Sequence, residues 1–237
     1  MPETITADIS RWAANLEFDQ IGQQAVHEAK RYLLDSLGCA FGGYRQEDVL
    51  HALEVLDEVA GSGPATILGS GKKTDVVSAS LANALMVRVM DYNDIYWQQD
   101  PSHPSDIIPA AMACGERQGS SGGDLIVGIV LGHEFEMRLC EAAFPGIRER
   151  GWHHATLTAF VSPMVAGRML RLPWEKIQHA IGISASHHCT LGAVTAGKLT
   201  MMKNTVDPMA TQSGVMAALL AEKGYTGPEH VIDGKEG

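Results

Sequence analysis

Residues 19–41, DQIGQQAVHEAKRYLLDSLGCAF, carry the pattern that decides the fold class. Apolar residues recur at spacings of three and four, which places them on one face of an α-helix. Gly42 and Gly43 follow directly and predict where the helix ends. The segment therefore predicts an amphipathic helix rather than a strand. Its expected apolar face consists of Ile21, Ala25, Ala29, Leu33, Leu34 and Leu37.

Seven further segments repeat this pattern or are apolar enough to form buried helices. They are QEDVLHALEVLDEVAG (46–61), TDVVSASLANALMVRVMD (74–91), DIIPAAMACGERQG (106–119), GGDLIVGIVLGHEFEMRLCEAA (122–143), ATLTAFVSPMVAGRML (155–170), PWEKIQHAIGISASHH (173–188) and DPMATQSGVMAALLAEKG (207–224). We predict N-caps at Thr74 and near Asp106, and we place Pro173 at the first position of its helix. The sequence thus predicts an all-α fold, a compact domain of about eight to ten helices over residues 1–224.

Two short segments fall outside this helical pattern. PATILGSGKK, residues 64–73, is the best candidate for a strand, because a Gly-Ser-Gly turn follows its apolar residues. YTGPEHVIDGKEG, residues 225–237, is rich in turn residues and has no element after it. We expect it to begin a linker to a further domain, and a free polar tail is the alternative.

The net charge of −10 argues against nucleic acid as a partner. The charge is unevenly distributed. Residues 1–150 hold 11 basic and 22 acidic side chains, whereas residues 151–206 hold five basic side chains, one acidic side chain and five of the ten histidines. A small basic zone in an acidic chain can bind a small anion, although chance variation in composition would explain it equally well.

The cysteines and the apolar runs bound the class of protein further. Cys39, Cys114, Cys140 and Cys189 lie in predicted helices without CxxC spacing. This predicts reduced, buried thiols rather than a zinc site or an iron–sulfur cofactor. No apolar run approaches the roughly 20 residues that cross a membrane, and residues 1–20 have no basic or apolar signal region. We therefore expect a cytoplasmic protein without a membrane partner.

The segment MDYNDIYWQQDPSHPSD, residues 90–106, concentrates reactive side chains in one predicted loop. Asp91, Asp94, Asp100 and Asp106 accompany His103 there. His103 precedes a predicted helix N-terminus, whose dipole favours the neutral imidazole that can act as a base near pH 7. The alternative is a loop whose carboxylates cap helices and whose histidine is solvated.

Two later segments carry further candidates. RGWHHATL, residues 150–157, places His153 and His154 directly before a predicted helix, and a packed Trp-His pair is the alternative. TAGKLTMMKNTVDP, residues 195–208, contains Lys203 after an apolar pair. Its ammonium group can reach an enclosed anion, or it can lie on the surface with its stem on apolar neighbours.

SASHHCTLG, residues 184–192, places His187 and His188 at the end of a predicted helix. The dipole there favours a structural role for both rings. A metal site built from His103, His153 and His187 with a carboxylate is an open alternative. Because no ligand pair spaced like HExxH is present, we predict no metal.

Taken together, these segments resemble the MmgE/PrpD family, in which the whole chain would form the helical first domain. The residues that carry the resemblance are LLDSLGCAFGG (33–43), DYND (91–94), HPSD (103–106), GWHHATL (151–157), MMKN (201–204) and AALLAEKGYTGPEHVIDGKEG (217–237). The resemblance implies a fold and a function, and it implies roles for seven residues. The catalytic set would be Asp91, His103, His153 and Lys203, and the substrate-binding set would be Asp94, Ser105 and His154.

The family includes 2-methylcitrate dehydratases, cis-aconitate decarboxylases and an epimerase, which work without an iron–sulfur cluster or another cofactor. The resemblance therefore implies a hydro-lyase acting on a small di- or tricarboxylate, with 2-methylcitrate dehydration in propionate metabolism as the leading expectation. Decarboxylation or epimerisation of a related carboxylate is the alternative. A non-catalytic helical scaffold is an alternative from a different class.

Two features depart from the family pattern. The position after Asp94 is commonly threonine, and here it is Ile95. Family members also continue into an α/β domain that covers the site, whereas this sequence stops at Gly237, so the resemblance implies a fragment, a split protein with a separately encoded α/β domain, or a truncated relative. The resemblance further implies a homodimer, and we expect the apolar helix at 124–143 to leave apolar surface exposed.

Finally, we expect His103, His153 and Lys203 to converge in the fold. We also expect His103 to make few core contacts, because Pro104 holds its backbone extended.

Overall fold

The computed structural model describes residues 4–237, and helices dominate this part of the chain. The nine α-helices among these residues are α1 (Ile5–Asn15), α2 (Gln23–Gly43), α3 (Glu47–Val59), α4 (Val76–Arg88), α5 (Ile108–Gln118), α6 (Gly122–Ala142), α7 (Ala155–Met169), α8 (Trp174–His187) and α9 (Met202–Glu222). Short 3-10 turns lie at Phe18–Gln20, Pro104–Ile107 and Gly192–Thr195. The predicted all-α class and the predicted number of helices are confirmed.

Helices α4 and α7 form the middle of the fold. Almost every residue of both helices is buried, because α4 packs against α2, α5 and α9 while α7 packs against α6, α8 and α9. Such helices need no polar face, which explains why their sequences are apolar all round. The central position of these two helices brings the end of α4 and the start of α7 to one cavity.

The predicted apolar face of α2 is confirmed in part. Ala29 is buried, and Ile21 and Leu33 pack against the main core. Leu34 is 72% exposed and Ala25 is also exposed, whereas the C-terminal half of α2 buries small residues, namely Ser36, Cys39, Ala40 and Gly43. A Cβ at Gly43 would lie 2.3 Å from the carbonyl oxygen of Met86, so this half of α2 approaches α4 too closely for larger side chains.

The expectation about exposed apolar surface on α6 is also wrong. Its apolar residues are buried or half-buried, from Ile126 to Cys140. The large exposed apolar side chains lie elsewhere, and on α2 and α3 they are Tyr32, Leu34, Phe41, Leu50, Val55 and Val59. Helix α6 is covered because α2, α5 and α7 all pack on it.

Two predicted helix starts move by one residue. Asp75, not Thr74, caps α4, and its carboxylate accepts hydrogen bonds from the N–H groups of Val77 and Ser78. Pro173 is the N-cap of α8 rather than its first residue. The start predicted near Asp106 is confirmed, because the N-cap of α5 is Ile107 and the 3-10 turn Pro104–Ile107 leads into it.

The predicted strand is confirmed in a short form. β1 (Ala65–Thr66) pairs with β2 (Lys73–Thr74) in an antiparallel hairpin. A second pair, β3 (Tyr96–Trp97) with β4 (Pro101–Ser102), lies inside the acidic segment that the sequence indicated as a plain loop. This pair folds the segment back on itself and carries Ile95, Trp97 and Pro101 to one side of a cavity.

Three of the four cysteines are buried free thiols, as predicted, but Cys189 is exposed. It lies beyond the last residue of α8, where the chain has left the helix. None of the helices within residues 4–237 is long and apolar enough to cross a membrane.

Residues 225–237 pack against the helices rather than extending away from them. The backbone N–H of Ile5 donates to the Asp233 carboxylate at 3.2 Å. A Cβ at Gly182 would lie 2.2 Å from the carbonyl oxygen of Pro228, so α8 and this segment meet with almost no space between them. Val231 and Ile232 also contact the main core. That this segment begins a linker stays a prediction.

Candidate active site

A cavity of about 270 Å³ opens where the 91–103 segment, the loop before α7 and the start of α9 meet. Five residues predicted from the sequence line it, namely Asp91, His103, His153, His154 and Lys203. The predicted convergence of His103, His153 and Lys203 is therefore confirmed, although these residues are far apart in the chain. Their catalytic roles stay predictions.

The three histidines form a continuous row. The ring centroids of His103 and His154 are 5.2 Å apart, and those of His153 and His154 are 3.8 Å apart. All three side chains are buried or nearly so. The expectation that His103 makes few core contacts is wrong, because its ring is 7% exposed and lies against His154. The backbone of His103 has φ of −119° and ψ of 80°, outside the extended region expected before Pro104, and the cavity wall closes around the ring.

One hydrogen bond fixes the tautomer of His103. Its Nδ1 lies 2.6 Å from the backbone carbonyl oxygen of Asp94. A carbonyl can only accept, so Nδ1 carries the hydrogen and Nε2 of the neutral ring keeps a free lone pair. Burial, and next the charge of Arg88, lower the pKa of His103 to about 4. The ring is therefore neutral at pH 7 and can accept a proton at Nε2.

His153 has the opposite tautomer. Its Nδ1 accepts a hydrogen bond from the backbone N–H of Ala155 at 3.2 Å. The hydrogen of the neutral ring is therefore on Nε2, which makes His153 a donor. Burial, followed by the charges of His154 and Arg88, lowers its pKa to about 4. Arg148 adds a smaller effect in the same direction.

His154 faces a buried carboxylate. Its Nε2 lies 3.4 Å from Oδ2 of Asp207, which is fully buried in α9. Burial alone would raise the pKa of Asp207, but the charges of His154 and Arg88 outweigh burial and lower it. Asp207 is therefore a buried counter-charge for the histidine row.

Arg88 links this carboxylate to two others. Its side chain is 1% exposed, and its Nε lies 3.7 Å from Asp106 and 3.6 Å from Asp207. Its Nη1 donates to Asp91. Burial, and next the negative charge of Asp207, raise the pKa of Asp106 well above its usual range. One guanidinium thus supports one ionised buried carboxylate, Asp207, while Asp106 retains its proton.

Asp91 joins Arg88 to Lys203 at the cavity. It accepts from both cations and has a left-handed backbone with φ of 53°. Burial would raise the pKa of Asp91, but these hydrogen bonds outweigh burial and lower it to about 2. Asp91 is therefore ionised and holds the ammonium group of Lys203 at the cavity wall.

Asp94 and Ser105, predicted to bind substrate, lie behind the cavity rather than in its wall. Asp94 accepts from the backbone N–H of Ser105 at 3.1 Å, and its Oδ2 lies 3.5 Å from Nε2 of His133. The Ser105 hydroxyl is fully buried and accepts from Asn93 at 2.9 Å. Since Asp94 also supplies the carbonyl that orients His103, this arrangement holds the 91–106 segment in place. Direct substrate contact by Asp94 or Ser105 stays a prediction.

Sequence reasoning missed several buried ionisable groups. Arg88, Asp207 and Glu136 are each at most 1% exposed. Glu136 accepts from the hydroxyls of Ser102 and Thr158, and burial raises its pKa to about 7. A signal was present, because each residue interrupts an apolar stretch of a predicted helix. A charged residue at such a position is rarely fully buried without a partner.

His187 lies outside the cavity lining. Its Nδ1 is 2.6 Å from the carbonyl oxygen of Ile183, and its Nε2 is 3.1 Å from the Ser213 hydroxyl. His187 therefore ties α8 to α9, which agrees with the structural role expected for it. The alternative metal site of His103, His153 and His187 receives no support from this placement.

A different group could hold a metal ion. The ligand atoms of His153, His154 and Asp207 lie within 4.8 Å of one another. The guanidinium of Arg88 lies 3.6 Å from the same Asp207 oxygen that contacts His154. A second cation there would be repelled by Arg88, and Asp207 is already compensated. The three residues therefore fit two histidines beside an already compensated carboxylate better than they fit a metal site.

The fold and the cavity define a helical domain with a histidine-rich cavity flanked by cations. The chain belongs to the MmgE/PrpD family, since the MmgE/PrpD N-terminal domain model matches residues 7–237. It is 28% identical to a cis-aconitate decarboxylase of Aspergillus terreus, over 97% of this chain and 48% of that protein. It is 26% identical to the cis-aconitate decarboxylase of Homo sapiens, over 98% of this chain and 49% of that protein.

A 2-methylcitrate dehydratase of Escherichia coli O157:H7 is 25% identical over 93% of this chain and 47% of that protein. The chain thus spans about half the length of the curated relatives it matches. These relatives are lyases, which agrees with the reaction class expected from the sequence.

Proposed function

We propose that this chain provides the acid–base cavity of a lyase acting on a small di- or tricarboxylate. Dehydration of a 2-methylcitrate-like substrate is the leading reaction. The observation that carries the proposal is the pair of opposite tautomers in one cavity. His103 presents a lone pair at Nε2, and His153 presents an N–H at Nε2.

In the dehydration, His103 Nε2 takes a proton from the carbon beside a substrate carboxylate. The C–H and C–O bonds break, a carbon–carbon double bond forms, and the hydroxyl leaves as water. His153 Nε2–H donates a hydrogen bond to that hydroxyl. The proton that turns the hydroxyl into water comes from His154, whose Nε2 lies 3.4 Å from the Asp207 carboxylate. We thus give His154 an acid role in addition to the substrate binding that the sequence suggested.

The charges around the cavity suit this step. A neutral imidazole with a pKa of about 4 is a weak base, so His103 must become more basic when substrate binds. An incoming carboxylate supplies negative charge that favours the protonated ring. Lys203, held by Asp91, is a cation that can receive a substrate carboxylate. Substrate binding and base activation are therefore coupled.

Decarboxylation of cis-aconitate is the second candidate, because two Aspergillus terreus relatives at 28% identity carry that name. In that reaction a carbon–carbon bond breaks, carbon dioxide leaves, and the carbanion receives a proton from the same histidine row. In both reactions Lys203 can hold a carboxylate of the substrate. The difference is that only dehydration needs a base to remove a carbon-bound proton.

Product analysis tests the proposal. We would incubate the chain with 2-methylcitrate, citrate and cis-aconitate, alone and with a separately supplied α/β domain from a relative. Loss of water with formation of an alkene supports dehydration, and release of carbon dioxide supports decarboxylation. Absence of turnover under all conditions would contradict the lyase proposal and favour a scaffold.

His103→Asn sharpens the test, because the Asn amide can still donate to the Asp94 carbonyl but offers no base. Collapse of dehydration in this variant with an unchanged melting temperature is expected. As a matched control, His187→Asn removes a histidine that lies outside the cavity and should leave turnover near the unmodified level.

A further inference from the structure

The cavity wall contains three strong cations, and two of them are already paired. Arg88 is compensated by Asp91 and Asp207, and Lys203 is held by Asp91. Arg148 also lines the cavity. Within residues 4–237, its side chain has no ion pair and no hydrogen-bond acceptor. Among the three cations that line the cavity, Arg148 is therefore the one that has no counter-charge within the described part of the chain.

The backbone around Arg148 is held in a defined turn. The backbone N–H of Ile147 donates to the buried Asp100 carboxylate at 2.7 Å, and the N–H of Gly151 donates to the Arg148 carbonyl at 3.0 Å. A Cβ at Gly146 would lie 2.9 Å from Asp100. Asp100 thus fixes the base of the turn that brings Arg148 to the cavity. This gives a structural role to an acidic residue of the 90–106 segment that the proposed chemistry does not use.

The cavity also has an apolar side, formed by Ile95, Trp97 and Pro101. The β3–β4 pairing sets Trp97 opposite Pro101. Ile95 is 51% exposed and Trp97 is 65% exposed. An alkyl group of a ligand would remove part of this surface from water.

We propose that Arg148 binds a second carboxylate of the substrate while Ile95 and Trp97 contact its alkyl part. The ligand class is then a polycarboxylate that carries at least two separated carboxylates and an apolar substituent. One carboxylate faces Lys203, and a distal one pairs with the Arg148 guanidinium. Arginine suits this task because its planar fork can bind a carboxylate through two parallel hydrogen bonds. The inference rests on the proposed function for the identity of the substrate.

Calorimetric titration with citrate, a tricarboxylate probe, tests the Arg148 assignment without any need for turnover. We expect Arg148→Gln to weaken citrate binding about 10- to 100-fold, as for loss of a charge-assisted hydrogen bond. Arg148→Lys should recover part of the affinity. Arg150→Gln is the matched control, because Arg150 lies in the same turn, contacts the Pro145 carbonyl and does not line the cavity. It should bind citrate within twofold of the unmodified chain.

Propionate, which has one carboxylate, provides the second arm. Its affinity should be the same for the unmodified chain and for Arg148→Gln, because only the distal carboxylate is lost. Equal weakening of citrate binding by Arg148→Gln and Arg150→Gln would indicate general electrostatics and overturn the proposal. Undiminished citrate binding by Arg148→Gln, or no citrate binding by the unmodified chain, would also overturn it. Arg148-dependent binding without turnover would instead refute only the proposed lyase activity.

The apolar contact has its own test. Ile95→Thr keeps a branched side chain but introduces a hydroxyl. We expect it to weaken binding of 2-methylcitrate relative to citrate by about fourfold, the effect of one buried methyl group. An unchanged ratio of the two dissociation constants would remove Ile95 from the proposed site.

Discussion

Nδ1 of His103 lies 2.6 Å from the backbone carbonyl oxygen of Asp94, and this contact decides which nitrogen of the ring can act as a base. The carbonyl belongs to the same segment that positions Asp91 and Ile95 in the cavity. A side chain of the 90–106 segment is thus oriented by the backbone of that segment. The backbone of the 90–106 segment therefore sets the tautomer of the histidine in that segment.

We expect His103→Asn to lower turnover about 10²- to 10⁴-fold, the usual effect of losing a general base. The Asn amide can replace Nδ1–H toward Asp94, so the fold should be retained. His103→Ala should instead lower stability measurably, because the ring is 7% exposed and its removal leaves a cavity. Steady-state kinetics and thermal melting of both variants check this prediction. Near-normal turnover in the Asn variant would return His103 to a structural role.

Asp207→Asn should destabilise the chain by about 3 to 5 kcal/mol, because Arg88 and His154 would lose a buried counter-charge. Urea denaturation at pH 7 measures the change. Asp8→Asn is the control, because Asp8 forms an exposed pair with Arg11 in α1. That change should cost under about 0.5 kcal/mol. Equal effects from the two variants would contradict the buried-pair interpretation.

Glu136 should make the stability fall as the pH rises. Burial raises its pKa to about 7 in the fold, whereas an unfolded glutamate titrates near 4.5. Between these values the folded chain binds more protons than the unfolded chain, so the free energy of unfolding decreases with pH. The expected loss from this group is about 3 kcal/mol. Glu136→Gln should flatten the pH dependence between pH 5 and 7, and an unchanged slope would contradict the shift.

Chelation should leave turnover unchanged. Arg88 already compensates the Asp207 carboxylate, so the proposed chemistry needs no metal ion at His153, His154 and Asp207. Activity would be measured before and after dialysis against EDTA, with zinc or magnesium added back. A loss of activity that one metal restores would show that these three residues bind a required ion.

Self-association is expected through the exposed apolar side chains of α2. Leu34 and Phe41 are 72% and 56% exposed, and their spacing of seven places them on one helix face. Sedimentation of the unmodified chain at micromolar concentration should show a dimer. Leu34→Glu should shift it to monomer, whereas Glu134→Gln on α6 should not. A monomeric unmodified chain would contradict the prediction.

The local patterns along the chain were sufficient to predict most of the helices. Periodic apolar residues, glycine stops and proline starts indicated the helices from α2 to α9, because each signal acts within a few residues. Capping was less predictable at Asp75 and Pro173, where neighbouring residues compete for one position. The buried face of α2 was predicted only in part, because its C-terminal half packs on α4 at a distance that no local pattern contains.

The residues of the candidate site were also predictable only in part. The sequence by itself identified Asp91, His103, His153 and Lys203, because reactive side chains beside turn residues can be recognised locally and by family resemblance. Only the tertiary structure brought Arg88 and Asp207 to this cavity and placed Asp94 and Ser105 behind it. It also decided the tautomers of His103 and His153, since those depend on single hydrogen bonds to backbone groups. Charge compensation and tautomer choice arise from distances between elements, and distances between elements exist only after the helices have packed.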